Sequence, residues 1–150
     1  MANPSALPDS EGEYFEIFND GTAAIDLAGL EITDLGSDSF TVDENFVVAP
    51  GEHVVFGKSE LAALGAADLV YGSAMSLTNS ADAIVLSLNN TVLDRVAYDS
   101  EFPAAAGRAL VLQEVSQTAN DSAQAWCLSD TPMGDGDFGT PGSSDSTCLP

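Results

Sequence analysis

Positive charge is nearly absent from this sequence. Three basic side chains, Lys58, Arg95 and Arg108, stand against 24 acidic ones, giving a formal net charge of −21 over 150 residues. Lys and Arg are what neutralise phosphates, so nucleic acid is excluded as a partner and an anionic membrane surface with it. Histidine occurs once, as His53, and cysteine twice, as Cys127 and Cys148. That leaves too few nitrogen and sulfur ligands for a zinc site. No apolar run approaches the ~18 residues of a membrane span, which argues against membrane insertion. No Gly-x-Ser-x-Gly elbow is present. No charged region followed by an apolar one opens the chain, so an exported protein would carry its signal upstream of Met1.

The chain is rich instead in apolar residues, 45% of the total, and in seven Phe, three Tyr and one Trp spread along it. That content argues against disorder and for one core, since a chain of this length buries roughly 70% of the surface it exposes unfolded. The acidity reads first as solubility, above all in salty surroundings where repulsion is screened. Cation binding and the steering of a basic partner are the other two readings.

Short strands recur with turn residues between them. Tyr14–Phe18 ends at Asn19-Asp20-Gly21, and Leu30–Thr33 alternates apolar with polar, as does a strand with one buried face. Phe40–Val42, Phe46–Val48, Glu52–Lys58 and Leu69–Tyr71 follow, with Ala49-Pro50-Gly51 as a turn. Ser59–Gly65 is the one candidate helical turn, with Ser59 to cap it and Gly65 to end it. Ala83–Leu88 and Thr91–Tyr98 flank Asn89-Asn90, two residues that tolerate the positive φ of a tight hairpin. Arg108–Val115 is the last strong strand. These spacings predict an all-β fold, a β-sandwich or a small closed barrel, with a lead-in loop over 1–13, a core over 14–116 and a loop-rich C-terminal tail wrapping over 117–150.

Cys127 and Cys148 are placed to close that tail as a disulfide, which points to an oxidising compartment; two free thiols are the alternative. The bridge would close about twenty residues and contribute on the order of 3 kcal/mol. Asn89 and Asn120 head glycosylation sequons, relevant only in a eukaryotic secretory host.

The order of several segments resembles the lamin tail domain, the immunoglobulin-like β-sandwich of nuclear intermediate-filament tails and of many bacterial extracellular proteins. They are Gly12–Asn19, Ile25–Leu30, Val48–Glu52, Leu77–Asp82 and Asp94–Tyr98. Gly107–Leu110 and Gly139–Gly142 are similar to the bacterial branch in particular. The resemblance implies a non-catalytic protein- or surface-interaction module of a secreted or cell-surface bacterial protein, and it supplies no catalytic residues. Family members usually carry an extra strand just before the segment that opens this sequence. Either the sequence is a trimmed fragment or that strand is missing, and a missing strand would leave an exposed sheet edge and a tendency to self-association. A structural spacer with calcium-stiffened loops is the alternative function, and a hydrolase ranks third.

Calcium needs clustered oxygen ligands. Asp9, Glu11 and Glu13 form one candidate loop and Asp135 and Asp137 another, with Asp34, Asp38, Asp43 and Glu44 a looser group. None has EF-hand spacing, and Asp and Gly also favour loops because they suit turns. His53 reads as a surface strand residue in preference to a catalytic base. Trp126, beside Cys127, reads as packing in the core or tail, and Arg95 and Arg108 as members of structural ion pairs.

Overall fold

A computed structural model describes residues 1–144 and the main chain of 148–149. The strands are β1 (Tyr14–Phe18), β2 (Ile25–Asp26), β3 (Glu31–Thr33), β4 (Ser39–Thr41), β5 (Val47–Val48), β6 (His53–Gly57) and β7 (Leu69–Val70). They continue with β8 (Asp82–Leu88), β9 (Thr91–Tyr98), β10 (Leu110–Leu112), β11 (Trp126–Ser129), β12 (Pro132–Gly134), β13 (Asp137–Phe138) and β14 (Cys148–Leu149). Helix among the described residues is limited to one turn, α1 (Asp9–Gly12), and three 3-10 turns.

Two sheets form the body. One has the order β1-β6-β7 and the other β4-β3-β8-β9; β2 and β5 make a two-stranded ribbon. Period-two alternation assigns each residue its face. Phe15, Val54 and Phe56 from the first sheet and Ile32 from the second share one buried cluster, with Phe40 and Leu86 packed against it. Phe56 is fully buried, stacks on Phe15 at 4.9 Å between centroids and meets Phe40 edge-on at 6.3 Å. The all-β expectation holds, with the two sheets packed through this core.

Alternation sends Tyr14 and Val55 to the opposite face of β1-β6-β7. There they join Met1, Ala62, Ala63 and Ala109 in a second cluster, with Val111 and Met133 against it. The chain after residue 107 therefore lays a further layer on the outside of this sheet. Gly139 marks the tightest approach: a Cβ there would lie 2.5 Å from the Tyr14 hydroxyl. Glycine is required because nothing larger fits.

The hairpin forms at Asn89-Asn90, with φ of 50° and 61°, and carries a bulge between Leu86 and Ser87. Two expectations need correction. Arg108–Val115 is strand only over Leu110–Leu112, and Val115 is exposed, because among the described residues no further partner strand runs beside it. The helical turn expected over Ser59–Gly65 is present, but as a 3-10 turn over Ala62–Gly65 that Ser59 does not cap. Ala63 and Leu64 take left-handed φ of 54° and 60° within a 3-10 turn, while Ser59 Oγ accepts from Leu61 N–H at 3.1 Å and donates to Glu11 O at 2.8 Å. Burial of Ala62 and Ala63 in the second cluster overrides helical propensity there.

Candidate functional site

Asn19 follows β1 and builds the turn beside the site. Its buried amide donates to Val48 O and Ala23 O, each at 3.0 Å, while Gly51 N–H donates to Asn19 O and Asn19 N–H to Glu52 O. Gly51 takes φ +77°, which the Pro50-Gly51 turn demands. Glu52 Oε2 accepts from Ala49 N–H at 2.7 Å. These bonds lock β5 against the start of β6, and a cleft of about 400 Å³ opens beside them, lined by Phe46, Val47, Glu52, His53, Asp68 and Gly142 among others.

Glu16 lies beside two of these lining residues, His53 and Gly142. Glu16 Oε2 accepts from Gly142 N–H at 2.9 Å and lies 3.7 Å from His53 Nδ1. His53 Nε2 is 3.3 Å from Ser144 Oγ, and the ring tilts against Phe18 at 4.6 Å. Desolvation by burial pushes the Glu16 carboxyl up to about 7, which the Gly142 bond only partly offsets. The same cause lowers the pKa of His53. His53 is thus half-buried, and not the simple surface residue expected.

The order Ser144, His53, Glu16 imitates a catalytic relay. A relay requires a charged carboxylate hydrogen-bonded to the base. Here Glu16 holds its proton to near neutrality, 3.7 Å exceeds a hydrogen bond, and the Gly142 N–H is spent on Glu16. The geometry is that of a latch tying residues 142–144 to β1 and β6.

The five expected calcium ligands stand apart. Glu13 is buried, takes Leu77 N–H at 3.0 Å and lies 3.8 Å from the Lys58 ammonium, which also donates to Met75 O. Asp137 is buried and accepts from Ser5 N–H at 2.8 Å and Ala6 N–H at 3.3 Å. Asp9 accepts from the Asn79 amide, while Glu11 and Asp135 are exposed. Asp34 closes its own turn through Gly36 and Asp38 N–H. Among the described residues no three His, Cys, Asp or Glu side chains gather as a metal site would need.

Arg108 pairs with Asp130 at 3.3 Å and lies over the Phe138 ring at 3.9 Å. Arg95 departs from expectation: it is exposed, with no acid within ion-pair distance among the described residues. Trp126 is half-buried, donates to Asn120 O at 2.9 Å and tilts toward Phe102. Asn89 is exposed at the hairpin tip, whereas the second sequon asparagine, Asn120, is buried. Cys127 is fully buried, and the side chain of Cys148, hence the expected bridge, lies outside the described residues.

The Lamin Tail Domain family model matches residues 2–100. The chain belongs to the lamin tail domain family. The match ends just after β9, so the immunoglobulin-like body is the family's and the outer layer from residue 107 lies beyond the matched region. The family is generally non-catalytic. No curated protein matches the chain.

Proposed function

We propose that this lamin tail domain is a non-catalytic interaction module of a secreted or cell-surface bacterial protein, making its contacts along open sheet edges. The observation that carries this reading is the unpaired main chain at two edges. Tyr14 exchanges both main-chain bonds with Met1, so alternation along the strand points Glu16 N–H and C=O the same way, beyond Met1, where they have no partner among the described residues. On the other sheet, Val42 N–H bonds Leu30 O and Asp34 N–H bonds Asp38 O, which turns the even residues of β3 toward β4. Its odd residues then face β8, the even residues of β8 face β9, and the main chain of Ala97 faces outward, unpartnered among the described residues.

Such edges template strand addition. The acidic surface and the paired placement of Cys127 and Cys148 in sequence support an extracellular setting. The spacer reading draws no support from the acids, which are dispersed or spent on main-chain N–H groups. Light scattering at low and at molar salt, with hydrogen exchange at Glu16 and Ala97, tests the edges. Self-association once repulsion is screened, with both amides becoming protected, is the expected result. A monomer at all salt concentrations with unprotected amides would remove the edges from the contact surface.

A further inference from the structure

A third stretch of unpaired main chain lies inside the cleft. Val55 N–H donates to Asp68 Oδ2 at 2.9 Å, Val55 O accepts from Asp68 N–H, and Gly57 O accepts from Tyr71 N–H. Residues 55 and 57 of β6 therefore face β7, and alternation turns His53 N–H and C=O to the same side. β7 begins at Leu69, too late to reach them, and no described residue pairs with the His53 main chain.

Two carboxylates flank this gap. Glu52 uses Oε2 on Ala49 and Asp68 uses Oδ2 on Val55, so each has a second oxygen without a partner among the described residues. Val47, 63% exposed, and Phe46 supply an apolar wall. Neither Lys nor Arg nor the N-terminal ammonium is among the cleft's lining residues: Lys58 is held by Glu13, Arg108 by Asp130 and Phe138, Arg95 sits on the other sheet, and the Met1 ammonium is buried and donates to Tyr14 O. The volume falls at the low end of ligand cavities, roughly 300–1,000 Å³, enough for a short extended piece of chain.

We infer that this cleft seats an extended segment of a basic partner protein, its main chain pairing with His53 and a Lys or Arg side chain lying between Glu52 and Asp68 over Val47. The charge complementarity is one-sided: a cleft with two carboxylate oxygens unpartnered among the described residues and no Lys, Arg or ammonium in its lining selects a cationic occupant. Strand pairing supplies the direction and the side chain the specificity. The inference rests on the interaction-module reading but uses a surface separate from the β1 and β9 edges.

The probe is a fluorescent hexapeptide, Thr-Val-Lys-Val-Arg-Val, titrated into the full chain, with a version carrying Glu in place of Lys and Arg as control. Because the net charge attracts any cation, the deciding comparison is between two double variants of equal charge. E52Q/D68N alters the cleft; E101Q/E114Q alters exposed acids elsewhere. The expected result is at least a tenfold loss of affinity for the first, less than twofold for the second, and a shift of the His53 amide resonance on binding to the unmodified protein. Should D68N unfold the chain, V47S at an exposed position replaces it, with a threefold or greater loss expected. Equal weakening by both double variants, or equal binding of the acidic peptide, would overturn the inference. Peptide binding by a chain that never self-associates would leave this site standing and remove only the edges.

Discussion

Glu16 gives the sharpest test of the energetics. Its side chain is about a quarter exposed, and desolvation raises its pKa from 4.5 to about 7. The folded chain therefore binds a proton at Glu16 that the unfolded chain has released between these values. Stability from this group is fully present below about pH 4.5 and is lost as pH rises through about 7. At 1.36 kcal/mol per pH unit, the loss is about 3 kcal/mol. Glu16→Gln keeps an oxygen for Gly142 N–H without the charge. Urea denaturation of both proteins across pH should show near-equal stability at about pH 4, with the variant ahead by about 3 kcal/mol at about pH 8. Comparing the pair cancels the titration of the other acids, and of His53 to first order. A difference that stays flat across pH would refute the desolvation argument, as would a carbon-detected titration placing Glu16 near 4.5.

Phe56→Ala removes a fully buried ring stacked on Phe15 and should cost about 3–5 kcal/mol in chemical denaturation, enough to unfold a marginal domain. Asn90→Gly relieves a side chain held at φ 61° and creates the preferred Asn-Gly hairpin turn, so the thermal midpoint should rise by a few degrees, equivalent to about 0.5–1 kcal/mol. Calcium should raise the midpoint no more than magnesium at matched ionic strength, because Glu13 and Asp137 are already engaged inside the protein. Cys148→Ser should speed proteolysis within residues 117–150 while the spectrum of the sandwich is unchanged; a tail equally resistant in the variant would deny the bridge any role.

Much of the body was legible because its strands obey period two. The hairpin needed only Asn89-Asn90, whose tolerance of positive φ is a local property, and the Val48–Glu52 turn needed only Pro50-Gly51. The site was hidden for the opposite reason. Glu16 sits mid-strand among aromatics and reads as the polar face of an amphipathic strand, until a chain segment 126 residues away donates Gly142 N–H to it. Asp137 likewise reads as a loop acid, yet it anchors Ser5 and Ala6 from the other end of the chain. The isolated His53, placed beside a turn, was the one available signal. Without the register of β1 against β6, nothing in the order of residues tied it to Glu16.

The family match and the site geometry bear on each other through the layer after residue 107. β1-β6-β7 buries its inner face in the core that the family match spans, and a two-layer domain would leave the outer face to solvent. Here Ala109, Val111 and Met133 cover it, and the same segment carries Gly142 to Glu16. Burial desolvates Glu16, and Gly142, which donates to it, is also a wall of the cleft. The latch and the cleft therefore share a component, so loosening the outer layer should lower the Glu16 pKa toward 4.5 and widen the cleft together. Cys148→Ser, six residues beyond Gly142 in sequence, offers that perturbation. A Glu16 titration that shifts down in the variant, with weaker peptide binding, would make the C-terminal layer a determinant of recognition. A titration unmoved while the tail becomes protease-sensitive would confine the layer's influence to residues beyond Gly142.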